Sequence, residues 1–328
     1  MFDVITVGSA SVDFFISSKS KSIELIWKKK KEEICFPIGA KILIDYMHQD
    51  TGGGGTNSAV AFSRLGFKTG WIGKIGNDKN SQNILEQMKK EKVKFLGKIK
   101  KGASTGFSVL IIGIEKDRTI LAYKGINDHL KKSDINFSKL KTRWFYMGSM
   151  MGESLKTAEK IAQYAKKKNI KLAFNPSLYL AKKGLKKLSK IISACHLLVL
   201  NREEAIAITK SKKNNIDLLL KKLQKYVPLV VITQGKSGAY AYNGIHKYTL
   251  RPAKIKVKET TGAGDSFASG VLSGILLGYD IENSLRLGQV QASSVIQYIG
   301  AKERLLTRTQ ALKAIKSRKY CKISKKEI

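Results

Sequence analysis

Four consecutive residues carry the strongest chemical signal in this chain: Gly262, Ala263, Gly264 and Asp265, just ahead of the apolar run 268–277. Glycine and alanine leave backbone N–H groups open to close approach. Where a helix begins, several such groups lack an intrahelical partner and point outward together. The helix dipole adds partial positive charge, so the turn is a cradle for a phosphate or a developing anion. A carboxylate beside that cradle would repel a phosphate, which makes Asp265 a candidate base for an attacking hydroxyl. An Asp N-cap is the plainer reading of the same residue, but capping does not call for three small residues before it. The turn also differs from two better-known phosphate loops. Val230 stands where a G-x-x-x-x-G-K-[ST] pattern ending in Gly235-Lys236-Ser237 needs its first glycine, and Phe267 ends the G-x-G-x-x-G alternative.

A second glycine run, Gly52 to Gly55, leads through Thr56 and Asn57 into a helical pattern stopped by Gly66. Asn57 offers an uncharged donor and acceptor, suited to a ligand hydroxyl. A plain flexible loop has no need of four glycines before a helix. Asp13 follows Gly8-Ser9 just past a strand, where ligands gather in open parallel sheets; a turn-forming Asp is the alternative. Asn201 and Glu204 open a helix after another strand and fit a capping box. The functional reading gives Glu204 a hold, through water, on a hard cation beside phosphates.

These residues have to be gathered at one edge of a sheet. The apolar runs at residues 2–8, 69–75, 144–147, 172–174, 197–200 and 229–233 read as buried strands. Helical patterns at 78–91, 154–168, 180–193 and 202–226 separate most of them, the rhythm of an α/β doubly wound, mostly parallel sheet. The turn at Gly262 is expected to leave a strand end and enter a helix. Residues 14–50 break the rhythm, with short strands at 14–17, 23–27 and 41–46 around a basic run. A hairpin at 105–114 and 118–123, turning at Glu115-Lys116-Asp117, completes a small sheet with them. Asn243-Gly244 signals another hairpin. In the last long helix, 281–299, Ala292, Ser293 and Ser294 suit close packing. The expected organisation is one domain over 1–328, with lid segments at about 14–50 and 103–125 inserted into the core.

Composition narrows the function. A chain of 328 residues with 43% hydrophobic content holds one large α/β domain, and only 4 prolines and no low-complexity tract argue against long linkers. The first residues read as a strand rather than a signal peptide, and the longest apolar stretch is too short to span a bilayer. Three well-separated cysteines, Cys35, Cys195 and Cys321, fit a reducing cytoplasm better than a disulfide framework. The 61 Lys and Arg against 25 Asp and Glu, net +36, raise nucleic-acid binding. Most of that charge is Lys, spread over presumptive helix faces without aromatic interleaving, so incidental attraction of polyanions is expected rather than a dedicated site.

In this order the motifs resemble those of the PfkB/ribokinase family of carbohydrate and nucleoside kinases, over nearly the whole length. The stretch 260–267 looks like the family's C-terminal signature, and Gly52 to Asn57 with Gly66 looks like the N-terminal one. Gly8-Ser9 with Asp13, Asn201 with Glu204, and Thr233, Gly235 and Gly238 stand in the expected sequence. The resemblance implies a ribokinase-like fold with a small β-sheet lid, and transfer of the γ-phosphoryl of ATP to a sugar hydroxyl. It implies Asp265 as base and Gly262, Ala263 and Gly264 as anion hole. Asp13, Gly53, Gly54, Asn57 and Asn175 would bind substrate, and Thr233, Gly235, Gly238 and Thr261 would line the nucleotide. Asn201 and Glu204 would organise Mg2+ through water, with a monovalent cation (K+) as a further cofactor. An adenosine or other nucleoside kinase of the same fold is the alternative, and a non-catalytic sugar- or nucleic-acid-binding protein is the alternative of another class. A homodimer through the lid follows by the same analogy.

Three positions depart from the family pattern. Gly54 stands where ribose-acting members often carry Lys, and Glu259 where the family often has Asp beside a monovalent cation. Asn175-Pro176-Ser177 has no Arg or Lys nearby in sequence, which weighs against an already phosphorylated sugar.

Overall fold

The computed structural model describes residues 1–18, 24–28, 31–112, 118–317, 320 and 322–328. Its main sheet has ten strands. Seven run parallel, in the order Leu229–Thr233, Leu197–Asn201, Lys171–Phe174, Thr142–Met147, Phe2–Val7, Thr69–Ile72 and Lys94–Phe95. Ala239–Tyr242, His246–Leu250 and Ile323–Glu327 extend the first edge antiparallel. From Phe2–Val7 the chain builds outward first on one side and later on the other. The switch therefore lies between Phe2–Val7 and Thr142–Met147, and the crevice beyond their carboxyl ends is where open α/β sheets take ligands.

Strand periodicity explains the two layers of core. Ile5, Val7, Phe145, Met147, Leu172 and Phe174 point to one face and pack with the Gly152–Lys167 and Arg202–Thr209 helices. Val4, Trp144, Tyr146, Ala173 and Val199 point to the other, against Phe62, Phe267 and Val271 of the Gly54–Arg64 and Ala263–Leu276 helices. The Ala263–Leu276 helix is buried nearly all round because Ile281–Val295 packs on it. A Cβ on Gly270 would lie 2.7 Å from Gly288 Cα, and one on Gly274 would lie 2.5 Å from Ser284 Cα. Those two glycines permit the close approach, whereas the expectation rested on Ala292, Ser293 and Ser294.

A second sheet of four strands stands apart, in the order Arg118–Tyr123, Phe107–Ile112, Ser11–Ser17, Tyr46–Gly52. Its composition corrects the sequence reading. Residues 41–44 are irregular, and the strand follows them at Tyr46–Gly52, running into the glycine run. Glu24–Lys28 pairs with Lys31–Cys35 as a separate hairpin. The expected start at residue 23 and the turn at 115–117 lie outside the described residues, as does Cys321. The strand expected at 69–75 breaks at Gly73, into Thr69–Ile72 and Lys74–Ile75. The helical pattern at 180–193 is three single turns, and that at 202–226 is two helices, Arg202–Thr209 and Ile216–Gln224. Residues 251–259 form no strand; Lys258 N–H and Glu259 N–H both donate to Ile296 O instead. The Gly262 turn is thus pinned by the end of a helix later in the chain, Ile281–Val295, rather than by the sheet.

Candidate active site

Two helices begin side by side at the switch crevice, and neither start carries a side-chain cap. The Gly54–Arg64 helix has Gly53 as N-cap, with φ 95°. Behind it the backbone of Gly55 lies on that of Gly8, so tightly that a Cβ on Gly55 would sit 2.5 Å from Gly8 O. The Ala263–Leu276 helix has Gly262 as N-cap in the left-handed region, φ 76°, where a Cβ would sit 2.3 Å from Ala301 O. Asp265 is consequently the third residue of its helix, and the Asp N-cap reading is set aside. A Cβ on Gly264 would meet nothing within 4 Å. Packing within the chain therefore does not explain that glycine, whereas an anion seated on the helix start would.

Asp265 and Asn57 join the two helix starts: Asn57 Nδ2 donates to Asp265 Oδ2 at 2.9 Å. Asn57 is 5% exposed, and its Oδ1 is buried without a hydrogen-bond partner among the described residues. An acceptor left open there suits a donated hydroxyl. Asp265 is enclosed by protein on nearly all sides yet keeps some contact with solvent. Enclosure raises the carboxyl's pKa above the usual value, the Asn57 hydrogen bond and the nearby Lys302 charge pull it back, and Asp13 adds to the rise. A Cβ on Gly54 would come within 3.4 Å of Asp265 Oδ1, so the absent side chain leaves that oxygen open.

Asp13 follows the end of the Phe2–Val7 strand but lies within the Ser11–Ser17 strand of the small sheet, so the turn-forming alternative is set aside. Ser11 Oγ donates to its Oδ1 at 2.8 Å. Gly52 makes room for its carboxylate, since a Cβ there would overlap Asp13 Oδ2 at 1.8 Å. Burial raises its pKa, against the lowering effect of Ser11, Ser108 and Lys302.

Asn175 caps the strand Lys171–Phe174, and both ends of its amide are engaged. Its Nδ2 donates to Val199 O at 2.8 Å, and its Oδ1 accepts from Tyr146 Oη at 3.2 Å. Asn201 and Glu204 form the reciprocal capping box, with Glu204 N–H to Asn201 Oδ1 at 2.9 Å and Asn201 N–H to Glu204 Oε2 at 2.8 Å. Burial, helped by the Asp265 and Glu203 charges, pushes the Glu204 carboxyl up to about 7. The box therefore does not remove Glu204 from the site, because Asp265 is near enough to be felt. Among the described residues no group of three or more His, Cys, Asp or Glu could cage a metal ion. Asn201 and Glu204 present oxygen donors, the type a hard cation and its waters take.

On the far side of Asp265, Thr261 directs both its N–H (2.7 Å) and its hydroxyl (2.6 Å) to Glu259 Oε1. Thr233 ends its strand, with Oγ1 donating to Leu200 O at 3.4 Å. Gly235 is exposed in a single 3-10 turn, Gly235–Ser237, and a Cβ there would meet nothing. Gly238 is held by its backbone, φ 95°, with a Cβ position 2.0 Å from Leu250 O.

Three residues at this site escaped the sequence reading. Asp50 stands directly across from Asp13 in the sheet register. Tyr146 lies beside Asp265 and Glu204, and burial and those charges raise its hydroxyl's pKa. Lys302 is 1% exposed, with Nζ 3.4 Å from Thr56 Oγ1. For Lys302 the only sequence signal was its place after Gly300-Ala301 in a basic region, where one more lysine draws no notice.

Residues 18–308 match the model of the pfkB family carbohydrate kinases. The chain is similar to an uncharacterized sugar kinase of Archaeoglobus fulgidus, 28% identical over 252 residues that span 75% of this chain and 98% of the relative. Among solved structures it is similar to adenosine kinase from Sinorhizobium meliloti, with a TM-score of 0.81 and 20% identity over 95% of this chain and 98% of that one. It is also similar to ribokinase from Cryptococcus neoformans in complex with ADP, with a TM-score of 0.77 and 22% identity over 95% and 98% of the two chains.

Proposed function

The chain belongs to the pfkB family of carbohydrate kinases, and we propose that its two joined helix starts align a sugar hydroxyl with the γ-phosphoryl group of ATP. The observation that carries this reading is the Asn57–Asp265 hydrogen bond beside the open Gly264 turn. It sets a base and an anion cradle side by side. In the proposed step the hydroxyl proton passes to Asp265, the oxygen–phosphorus bond forms, and ADP leaves with the electron pair of the broken bond. The amides of Gly262, Ala263 and Gly264 take up the charge spread over the transferring group.

Asp13, Gly53, Gly54, Asn57 and Asn175 are assigned to the sugar, Asn57 through its open acceptor and Asn175 as the residue that ties neighbouring strand ends together. Thr233, Gly235, Gly238 and Thr261 are assigned to the nucleotide. Bound Mg2+ would neutralise phosphate charge, and Asn201 and Glu204 would hold its waters. Glu259, 4% exposed and bonded to Thr261, is the acid to test for potassium dependence. The four-stranded sheet is assigned as the lid. Its exposed Tyr46, Met47, Ile120, Leu121 and Tyr123 support pairing of two lids in a homodimer. No helix of the described residues is long and apolar enough to cross a membrane. The free Cys35 and Cys195 suit the reducing cytoplasm we assign.

The test is ADP release from Mg·ATP across ribose, fructose, fructose 6-phosphate, adenosine, cytidine and inosine, with and without potassium. A sugar well above the ATPase background bears out the reading. A nucleoside above every sugar replaces the substrate class, and failure to bind ATP overturns the kinase assignment for this site.

A further inference from the structure

We propose that Lys302 is a positioning residue for phosphoryl transfer: its buried ammonium, beside Asp50, favours the anionic form of Asp13 and Asp265 and so sets the pH range in which the base works. The inference rests on the assignment of Asp265 as base.

Like charges directly opposite one another on antiparallel strands destabilise a sheet. Asp13 and Asp50 are such a pair, and Asp13 is only 6% exposed. Asp50 accepts from Thr51 N–H through Oδ1, while its Oδ2 is buried with no hydrogen-bond partner among the described residues. Asp265 brings a third carboxylate within electrostatic reach. Such a group of acids either takes up a proton or is kept ionised by a nearby cation. Lysine, in turn, is almost never fully buried without one.

Lys302 meets that requirement from a segment that touches both glycine turns. Ala301, the residue before it, lies against Gly262, and Gly300 leaves 3.1 Å between its Cβ position and Asp50 Oδ2. The Lys302 side chain runs beneath the other turn to Thr56 Oγ1, whose hydroxyl faces Gly52 O at 2.6 Å and Gly53 O at 3.0 Å. Arg64 fixes the same segment by donating to Lys302 O at 3.1 Å and Leu305 O at 3.1 Å.

The charged groups that act on Lys302 are Asp50, Asp13, Asp265 and Glu91, in descending order. Glu91 is already bonded to Arg64, which leaves the three aspartates as its counter-charges. Burial pushes the ammonium down to about 8 despite those acids. It is therefore charged at neutral pH, and it works against the enclosure that raises Asp13 and Asp265. Around Asp265 the other groups are Asn57, which favours the ionised form, and Asp13, which opposes it. Tyr146 and Glu204 also feel the Asp265 charge.

The experiment compares pH profiles of kcat/KM for wild type, Lys302→Met, Lys302→Arg, Asp50→Asn and the Lys302→Met/Asp50→Asn double variant. Lys302→Met is expected to move the acidic limb upward by about one to three pH units, the usual effect of losing an opposite charge nearby. Lys302→Arg is expected to restore most of the shift. Asp50→Asn moves the limb the opposite way, because Lys302 then serves two acids rather than three, and the double variant returns toward wild type. An unmoved limb in folded Lys302→Met overturns the proposal, as does a shift of the same sign in Asp50→Asn. Where Lys302→Met fails to fold, the opposite shift in Asp50→Asn decides alone.

Aspartate carboxyl 13C titration reads the same balance without turnover, with higher midpoints expected in the Lys302→Met protein than in wild type or Lys302→Arg. This separates the two assignments. Wild-type turnover by Asp265→Asn removes the base but leaves the carboxyl midpoints to judge the lysine, and unchanged midpoints remove the lysine alone.

Discussion

The two glycine turns look alike in sequence and differ in what their missing side chains are for. In the first turn the space at three of the four glycines is filled by this chain, Gly52 by Asp13, Gly53 by Ser9 and Ala10, Gly55 by Gly8, and only Gly54 opens, toward Asp265 Oδ1. At the second turn only Gly262 is filled, by Ala301, while Gly264 opens outward from the helix start. The first turn is a structural joint that carries Asn57 to its place. The second is a surface shaped for something outside the chain. A run of glycines before a helix therefore has two physical meanings, and only the neighbours in space distinguish them.

The sharpest way to test that division is to remove the base. Asp265→Asn should lower kcat by about 10²–10⁴-fold, the usual contribution of a positioned acid or base. Thermal unfolding and nucleotide affinity should stay near wild type, because the amides remain. Turnover near wild type would break the functional half of the comparison.

The next effect falls on stability. Gly55→Ala forces a Cβ into the Gly8 backbone, and since neither backbone can yield, a loss of about 3 kcal/mol or more is expected, at or beyond the usual range for overpacking. A lowered Tm with little change in catalysis per folded molecule is the expected result. Gly264→Ala should do the reverse. Within the Ala263–Leu276 helix alanine is favoured over glycine by roughly 0.5–1 kcal/mol, so the Tm should rise slightly. The added methyl group stands where the phosphate would approach, and kcat/KM for ATP should fall by about tenfold or more, the loss of roughly one good hydrogen bond. If both alanines behave alike, the two turns are the same device.

Smaller still is the effect at the joint between them. Asn57→Ala removes the donor to Asp265 and should cost about tenfold in kcat/KM, equivalent to one hydrogen bond to a charged group. The acidic limb of the pH profile supplies the finest reading. Asp265 must be ionised to accept a proton, and its pKa stands above the usual carboxylate value, so activity should fall on acidification at a pH higher than 3.8. Asn57 favours the ionised form, so its removal should raise that limb further, as measured by kcat/KM against pH with the best substrate of the panel.

Local chemistry made much of this protein legible. Apolar runs of strand length and alternating helical patterns led to the parallel sheet, and glycine punctuation located both helix starts. Asn201 and Glu204 read as a capping box because that motif is complete within four residues. Errors arose where pairing outside the segment decides. Residues 41–46 carry enough apolar side chains for a strand, yet the chain pairs from Tyr46 onward because Ser11–Ser17 meets it there. The stretch before Gly262 lacks any strand partner and is tied to a helix end instead. Lys302 was invisible for a related reason: among 61 basic residues, nothing local distinguishes a buried lysine from an exposed one.

By itself, then, the order of residues determined the elements, the two anion-suited turns and the carboxylate at the second of them, since those depend on side-chain size, periodicity and helix-end geometry over a few residues. Tertiary structure alone decided that Asn57 reaches Asp265 across 208 positions, that Asp13 faces Asp50, and that the buried Lys302 reaches Thr56 in the first glycine turn. Such distances are set by how the sheet and helices pack, and the charges that govern a site act through space rather than along the chain.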